Sequence, residues 1–398
     1  MSNELPKIKQ QNCDFVVKNK KRIAIVLFRY FPYGGLSRDM LRITLEFQKR
    51  GYDVTVFCEK WEDVRPNNLK IVTLKTKGWT NHTRCKNFAK AFSKLKNSFN
   101  FVLGFNRMQG LDAYYAADIC YADSVSKKPF LKRLLYLMTP RCQTYLYLER
   151  QVFKPSNKSI KVLFLDKSAK DKYAKHYDMR NIISHILPPG ISSDLSTKTY
   201  TSIEKNNCRK KLSISEDEIL FLEVGSDFKR KGVDRAIRTM AFLRDKLPPK
   251  QKFRLVVVGA DDPTKYKNLA RELGILSYVI FTHEMRDASL TIASSDVLLH
   301  PARSENTGTV IMEAMALGLP VICTDTCGFA HYVVEWSSGI VIPSNKKNVQ
   351  EYLNIACLTI TNKLIRTNYK NGACKYSNNR DNQNMPEDAV NWLEDFIN

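Results

Sequence analysis

A chain of 398 residues exceeds what one ordinary hydrophobic core fills, so two domains with a cleft between them are expected. With 63 Lys and Arg against 40 Asp and Glu, the net charge of +23 points to an anionic partner such as nucleic acid, an acidic membrane surface or a phosphorylated substrate. No run approaches the roughly 18 consecutive apolar residues of a membrane span and no signal-peptide core opens the chain, so the chain is expected to stay in the cytoplasm.

Residues 1–20 are polar and basic without periodicity and read as a flexible arm. From Lys21 the pattern changes. Ile23 to Phe28 is continuously apolar, Arg29-Tyr-Phe-Pro-Tyr-Gly34-Gly35 follows, and Leu36, Met40, Ile43 and Phe47 then share one helical face, which predicts strand, glycine loop and helix. Gly51 ends that helix, and Val54 to Phe57, Ile71 to Leu74 and Phe101 to Gly104 are predicted as further strands of a parallel α/β sheet. Between Tyr121 and Phe153, Lys127, Lys128, Lys132, Arg133, Arg141 and Arg150 are interleaved with Phe130, Leu131, Leu134, Leu135, Tyr136, Tyr145 and Tyr147. Basic and aromatic residues together suit an interfacial helix on anionic headgroups; the competing expectation is a helix whose apolar face is buried in the domain.

Leu187-Pro-Pro-Gly190 suits a linker, dividing a first domain, 21–187, from a second, 188–370. The second half repeats the grammar of the first: strand Ile219 to Val224, loop Gly225-Ser-Asp-Phe-Lys-Arg-Lys-Gly232, helix Val233 to Leu243. Further strands are predicted at Phe253 to Val258, Val279 to Thr282, Val297 to His300, Pro320 to Cys323 and Gly339 to Ile342. The segment 371–398, helix-like from Asp388 to Phe396, is a candidate to pack back on the first domain. The 10 cysteines form no Cys-x-x-Cys pair and read as reduced thiols.

Ligands of doubly wound sheets bind at the carboxyl ends of the strands, so chemistry is expected first at the loop after the first strand of each half. Gly34 and Gly35 bare the backbone before a helix N-terminus, where N–H groups and the dipole attract an anion; a simple tight turn is the plainer alternative. Arg230 and Lys231 are expected at the opening of a helix, opposing its dipole unless a diphosphate docks there, with a solvated basic patch as the alternative. In Pro301-Ala-Arg-Ser-Glu305-Asn-Thr-Gly308-Thr-Val-Ile-Met-Glu313, the two carboxylates are eight positions apart, which as helix places both on about one side. Glu313 among Val310, Ile311, Met312 and Met315 needs hydrogen-bond donors, such as ribose hydroxyls, to offset its burial.

These three motifs together resemble the family 4 retaining glycosyltransferases. Tyr30 to Asp39, Gly104-Phe-Asn-Arg-Met108, Ala116-Ala-Asp-Ile-Cys-Tyr121, Leu187-Pro-Pro-Gly-Ile191 and Ala330-His-Tyr332 are similar to the bacterial lipopolysaccharide core subgroup, over nearly all of residues 22–345. The resemblance implies the GT-B fold, two Rossmann-like domains facing a central cleft. It further implies transfer of a hexose, typically glucose from UDP-glucose, to an inner-core heptose of lipopolysaccharide, with retention of configuration. By position, Gly34, Gly35, Gly225, Arg230, Lys231, Glu305, Thr307, Gly308, Thr309 and Glu313 would bind the donor, and Glu305, Asp118, Lys231 and Arg230 would serve the reaction. Asp118 stands where many family members have a histidine; a capping aspartate is the alternative.

The UDP-sugar is then a substrate, and neither a cofactor nor a metal is expected, in keeping with the lack of an Asp-x-Asp at a strand end. Lys127, Lys128, Lys132, Arg133 and Arg141 would face the acceptor or the inner surface of the cytoplasmic membrane, to which the protein would be peripherally bound. Asn306 and Thr307 depart from the two alanines usual in the subgroup, which bears on the donor. Two alternatives stay open: a family 4 enzyme with another donor or polysaccharide acceptor, and a non-catalytic basic scaffold. Against the latter, no helix-turn-helix, zinc-finger or RNA-recognition pattern is present, and nucleic acid is not expected as a partner.

Overall fold

The computed structural model describes residues 20–32, 34–154, 159–188, 190, 195, 198–283, 285, 288–344, 347–379 and 384–397. The basic arm apart from Lys20, and Tyr33, Pro189 and Ile191 of the motifs above, lie outside the described residues.

In chain order the first half contributes β1 (Arg22–Val26), β2 (Arg29–Tyr30), β3 (Asp53–Cys58), β4 (Lys60–Trp61), β5 (Lys70–Thr73), β6 (Phe101–Gly104), β7 (Ala113–Ala116), β8 (Ile160–Phe164) and β9 (Ile182–Ile186). The second contributes β10 (Ile219–Val224), β11 (Phe253–Val258), β12 (Val279–Thr282), β13 (Val297–His300), β14 (Val321–Thr324) and β15 (Gly339–Ile342). Two parallel sheets result, ordered 5-3-1-6-7-8-9 and 12-11-10-13-14-15, with β2 and β4 as a separate short pair. Helices cover both faces of each large sheet, so strands such as Ile23–Val26 and Leu220–Leu222 are fully buried and read as continuous apolar runs. This is the GT-B architecture that the resemblance implies. Strand order reverses between β1 and β6 and again between β10 and β13, so the two crevices that hold ligands in such sheets open beside the loops already singled out.

Several elements differ from expectation. The first strand stops at Val26, and the N–H of Phe28 donates instead to the Asn106 side chain at 2.7 Å. Strands β7, β8 and β9 were not predicted: Ala113-Tyr-Tyr-Ala is short, and Lys161, Ser184 and His185 interrupt the apolar runs of its neighbours toward the sheet edge. The basic stretch after Tyr121 is three helices, Tyr121–Ser126, Phe130–Leu137 and Pro140–Phe153. Prolines divide them: Pro129 caps the second, and Pro140 opens the third behind Thr139, whose hydroxyl accepts the Cys142 N–H at 3.2 Å. Within β10, Glu223 is buried with neither carboxylate oxygen hydrogen-bonded, and burial raises its pKa well above the carboxylate range. The nine described cysteines are all free thiols.

The helix Met385–Glu394 returns to the first domain. Its Met385, Ala389, Val390 and Leu393 join Met40, Ile43 and Phe47 in one core. Arg50 pairs with Glu394 at 2.6 Å and His185 with Asp388 at 2.7 Å. The chain therefore crosses between the domains twice, and the two crossings touch: a Cβ on Gly190 would lie 2.7 Å from Met385 Cε, while Arg42 donates to the Gly190 carbonyl at 3.0 Å.

Candidate active site

The loop after β10 is shaped by its own backbone. Gly225 has φ of 146°, and a Cβ there would stand 2.6 Å from the Lys231 side chain, so glycine alone lets that lysine lie back across the loop. Asp227, left-handed at φ 64°, accepts the Arg230 N–H at 3.2 Å, and the Asp261 carboxylate accepts the N–H groups of Asp227 and Phe228 at 3.0 and 2.8 Å. These bonds wind Phe228–Lys231 into a four-residue helix that stops at Gly232, φ 85°. Arg230 and Lys231 thus close one short helix rather than opening the next, at the carbonyl end where the dipole favours cations. Gly232 is also the N-cap of the helix Val233–Lys246, so Lys231 still stands beside the positive end of that longer helix.

The loop after β13 is laced onto this one. Arg303 N–H donates to the Arg230 carbonyl at 2.8 Å, and the Pro301 carbonyl packs where a Gly232 side chain would be. Glu305 then receives both cations, Arg230 Nη1 at 2.9 Å and Lys231 Nζ in a close ion pair, with only about a tenth of its side chain exposed (11%). Burial alone would raise this carboxyl; His300, Lys231 and Arg230 outweigh it and hold Glu305 well below the usual carboxylate range. His300, at the end of β13, is fully buried with neither ring nitrogen hydrogen-bonded, and its Nε2 lies 3.7 Å from Glu305. Burial and the Lys231 charge lower the pKa of that imidazole.

Glu305 and Glu313 do not share a helical face. The helix Thr309–Ala316 begins only after Gly308, left-handed at φ 77°, so Glu305 stays in the loop facing Arg230 and Lys231. Glu313 faces the other domain, where Arg38 Nη2 of the helix Gly35–Lys49 donates to it at 2.5 Å. Gly34 is the N-cap of that helix and Gly35 its first residue; a Cβ on Gly35 would be 3.4 Å from Thr309 Oγ1, an ordinary contact, so Gly35 faces the second domain without being wedged against it. Asn306 Nδ2 donates to the Ala117 carbonyl, and Thr307 is buried beside it with its carbonyl accepting the Phe329 N–H at 2.9 Å. Gly225, Arg230, Lys231, Glu305 and Gly308 form one cluster; Gly35, Thr309 and Glu313 form a second, lining a cavity of about 440 Å³ with Arg38, Asp39 and Val224.

Asp118 directly follows the Ala117 bridge, with Arg107 Nη2 at 3.5 Å from its carboxylate. Arg107 also donates to Glu149, which is completely buried and accepts from the N–H groups of Tyr121 at 2.7 Å and Ala122 at 2.9 Å and from the Tyr177 hydroxyl at 2.7 Å. Arg107, Glu149, Arg38 and His300 were not singled out from sequence. The signal for Arg107 was a charged residue just past a buried strand at a switch point, and for Glu149 an acid between Leu148 and Val152 on a buried helix face. Lys127, Lys128, Lys132, Arg133 and Arg141 are not in the cleft cluster; Lys127 and Lys128 precede, and Lys132 and Arg133 belong to, the helix Phe130–Leu137, none of whose residues is buried. Phe130, Leu131, Leu135 and Met138 are 69%, 72%, 68% and 70% exposed, so the buried-helix expectation fails for this helix, whereas the helix Pro140–Phe153 meets it with Leu148, Val152 and Phe153 buried.

No helix among the described residues is long and apolar enough to cross a membrane, and no group of three His, Cys, Asp or Glu there is placed to hold a metal.

The family model of the glycosyl transferases group 1 matches residues 204–374. The lipopolysaccharide glucosyltransferase WaaG of Escherichia coli (strain K12) is 37% identical over 375 residues, 93% of this chain and 98% of that one. The crystal structure of WaaG, a glycosyltransferase involved in lipopolysaccharide biosynthesis, aligns with a TM-score of 0.85 over 94% of this chain and 99% of its own. Anabaena Alr3699/HepE in complex with UDP and glucose, 15% identical, shares the fold at a TM-score of 0.70 over 94% of this chain and 100% of that one.

Proposed function

This chain belongs to the family of the lipopolysaccharide glucosyltransferase WaaG, within the glycosyl transferases group 1, and we propose that it moves glucose from UDP-glucose onto an inner-core heptose of lipopolysaccharide with retention of configuration. The observation that carries this reading is the convergence of Arg230 and Lys231 on Glu305 at the mouth of the second crevice, one short bridge away from Asp118 in the first domain. In this reading the uridine enters the cavity at Glu313, whose carboxylate accepts ribose hydroxyls, and the diphosphate lies over Gly225 beside Arg230 and Lys231. As the bond from C1 to the β-phosphate oxygen loosens, charge develops on the leaving diphosphate, where two fixed cations already stand and no metal is required. The acceptor hydroxyl attacks C1 from the face the diphosphate leaves; its proton passes to the departing phosphate oxygen. Glu305 and Asp118 orient the sugar and acceptor and form no stable covalent bond.

The test is a nucleotide-sugar screen on purified protein, following nucleotide release with heptose-containing core lipopolysaccharide as acceptor. Acceptor-dependent UDP release from UDP-glucose is the expected result. Release from a different donor moves the sugar and keeps the reaction class, whereas no binding or turnover of any nucleotide sugar overturns the proposal in favour of a non-catalytic basic protein.

A peripheral site on the inner face of the cytoplasmic membrane is part of the same proposal. The exposed apolar residues of the helix Phe130–Leu137, flanked by Lys127, Lys128, Lys132 and Arg133, fit shallow insertion among anionic headgroups. Substituting Leu131→Glu with Leu135→Glu is expected to lower partitioning onto phosphatidylglycerol vesicles by about tenfold or more, from the lost burial of two leucines. Equal flotation of variant and parent would remove this helix from the membrane contact.

A further inference from the structure

The first domain holds a cavity of about 420 Å³ beside Asp118, in the size range of small-molecule sites, between the strand-end loops and the helix Pro140–Phe153. Its charged lining is Arg29, Arg107 and Arg141 against the single carboxylate of Asp118. Arg107 is committed, to buried Glu149 and to Asp118. The other two are less so: Arg29 meets Glu62 at 3.5 Å through Nε, and Arg141 forms no ion pair among the described residues, its guanidinium lying 5.9 Å over the Tyr145 ring. The neutral polar wall is also weighted to donors. Asn81 uses its carbonyl oxygen on Arg84 at 2.6 Å and Asn106 uses its own on the Phe28 N–H at 2.7 Å, which leaves the NH2 of each amide for a ligand. Phe28, Phe88 and Leu148 supply an apolar floor against which a sugar ring can lie.

We infer that this cavity is a subsite for an anionic substituent of the acceptor, a phosphate or a carboxylate, gripped by Arg29 and Arg141. The inference rests on the reading of the first domain as the acceptor side of a glycosyltransferase. A planar guanidinium matches either group with paired hydrogen bonds, and a donor-rich wall has no use for a neutral apolar ligand. The placement suits an acceptor with a lipid end: the Tyr121 hydroxyl at the cavity meets the Tyr136 hydroxyl at 2.6 Å, on the exposed apolar helix. The polar part of such a molecule would reach Asp118 while its lipid stays at that helix.

Equilibrium binding of deacylated, heptose-containing core oligosaccharide tests this without turnover. Three forms are compared, untreated, phosphatase-treated and carboxyl-reduced, on the parent protein and on Arg29→Gln and Arg141→Gln, with UDP affinity measured on each sample. The parent is expected to bind the untreated form about tenfold or more tightly than the form lacking the recognised group, as one charge-assisted bond is worth that much, and each variant is expected to lose the preference. Loss on phosphatase treatment identifies a phosphate and loss on carboxyl reduction a carboxylate. Equal binding of all three forms by the parent, or an undiminished preference in both variants, overturns the inference. UDP affinity separates the two claims: a protein that binds UDP but shows no anion preference refutes only the subsite, and one that shows the preference without binding any nucleotide refutes only the transferase reading.

Discussion

Replacing Lys231 by alanine is expected to lower kcat for sugar transfer about 10²–10³-fold, with a smaller change in donor KM, the usual result of removing one fixed group that stabilises developing negative charge. The ammonium is almost buried, lies across Gly225 where no other residue would leave room, and is aimed at Glu305 by a loop that Asp261 and Arg303 hold from two sides. Nothing has to reorganise when the diphosphate begins to leave, which is why the loss should appear in kcat. Arg230 remains on Glu305 in the variant, so the carboxylate keeps a counter-charge and the fold should persist. Steady-state kinetics with saturating UDP-glucose and core acceptor, alongside a thermal melt, separate the two effects. A Lys231→Ala protein within about threefold of the parent in kcat would place the leaving-group charge elsewhere.

The second large effect is on stability. Glu149→Ala is expected to destabilise the first domain by about 3–5 kcal/mol, the range for removing one partner of a buried ion pair. Five donors lose their acceptor at once: Arg107, two backbone N–H groups at the start of the helix Tyr121–Ser126, the Tyr177 hydroxyl and the Cys120 thiol. For a domain of this size the melting temperature should fall by roughly 10 °C. Glu149→Gln should cost about half as much, keeping one acceptor oxygen and leaving Arg107 with the Asp118 carboxylate as counter-charge. Calorimetry of the two variants checks this, and a shift under about 2 °C in Glu149→Ala would show that water replaces the carboxylate.

The strands of the second half could be read because each is largely apolar, as a strand buried on both faces is, and three of them, Ile219–Val224, Phe253–Val258 and Val297–His300, run straight into Gly225, Gly259 and Pro301. Five of its six match in extent, from Ile219–Val224 to Gly339–Ile342. Toward the free edge of the first sheet that mark fades, since an edge strand such as Ile182–Ile186 is only half covered and tolerates Ser184 and His185. Local spacing also failed where a glycine resets the backbone. Gly232 ended a helix ahead of the expected start, and Gly308 delayed another, so Arg230, Lys231, Glu305 and Glu313 took directions that helical periodicity cannot supply. Pairings far apart in sequence, Arg38 with Glu313 or Arg107 with Glu149, exist only after the chain has folded. The exposed helix Phe130–Leu137 was legible as basic and apolar, but whether its apolar face was covered required the tertiary structure.

The contact of Gly190 with Met385 has a mechanical consequence. The described ends of the two connections, Gly190 and Met385, meet in one small region, which can serve as a single pivot. In any rotation about a pivot, displacement grows with distance from it. The 440 Å³ cavity is lined by Gly190 itself and by Arg42, which holds its carbonyl, so its walls are the ones a rotation separates least. The hydrogen bond from Asn306 to Ala117 has no such tether, and domain opening is free to part the residues around Asp118 while the end that contains Glu313 keeps its shape.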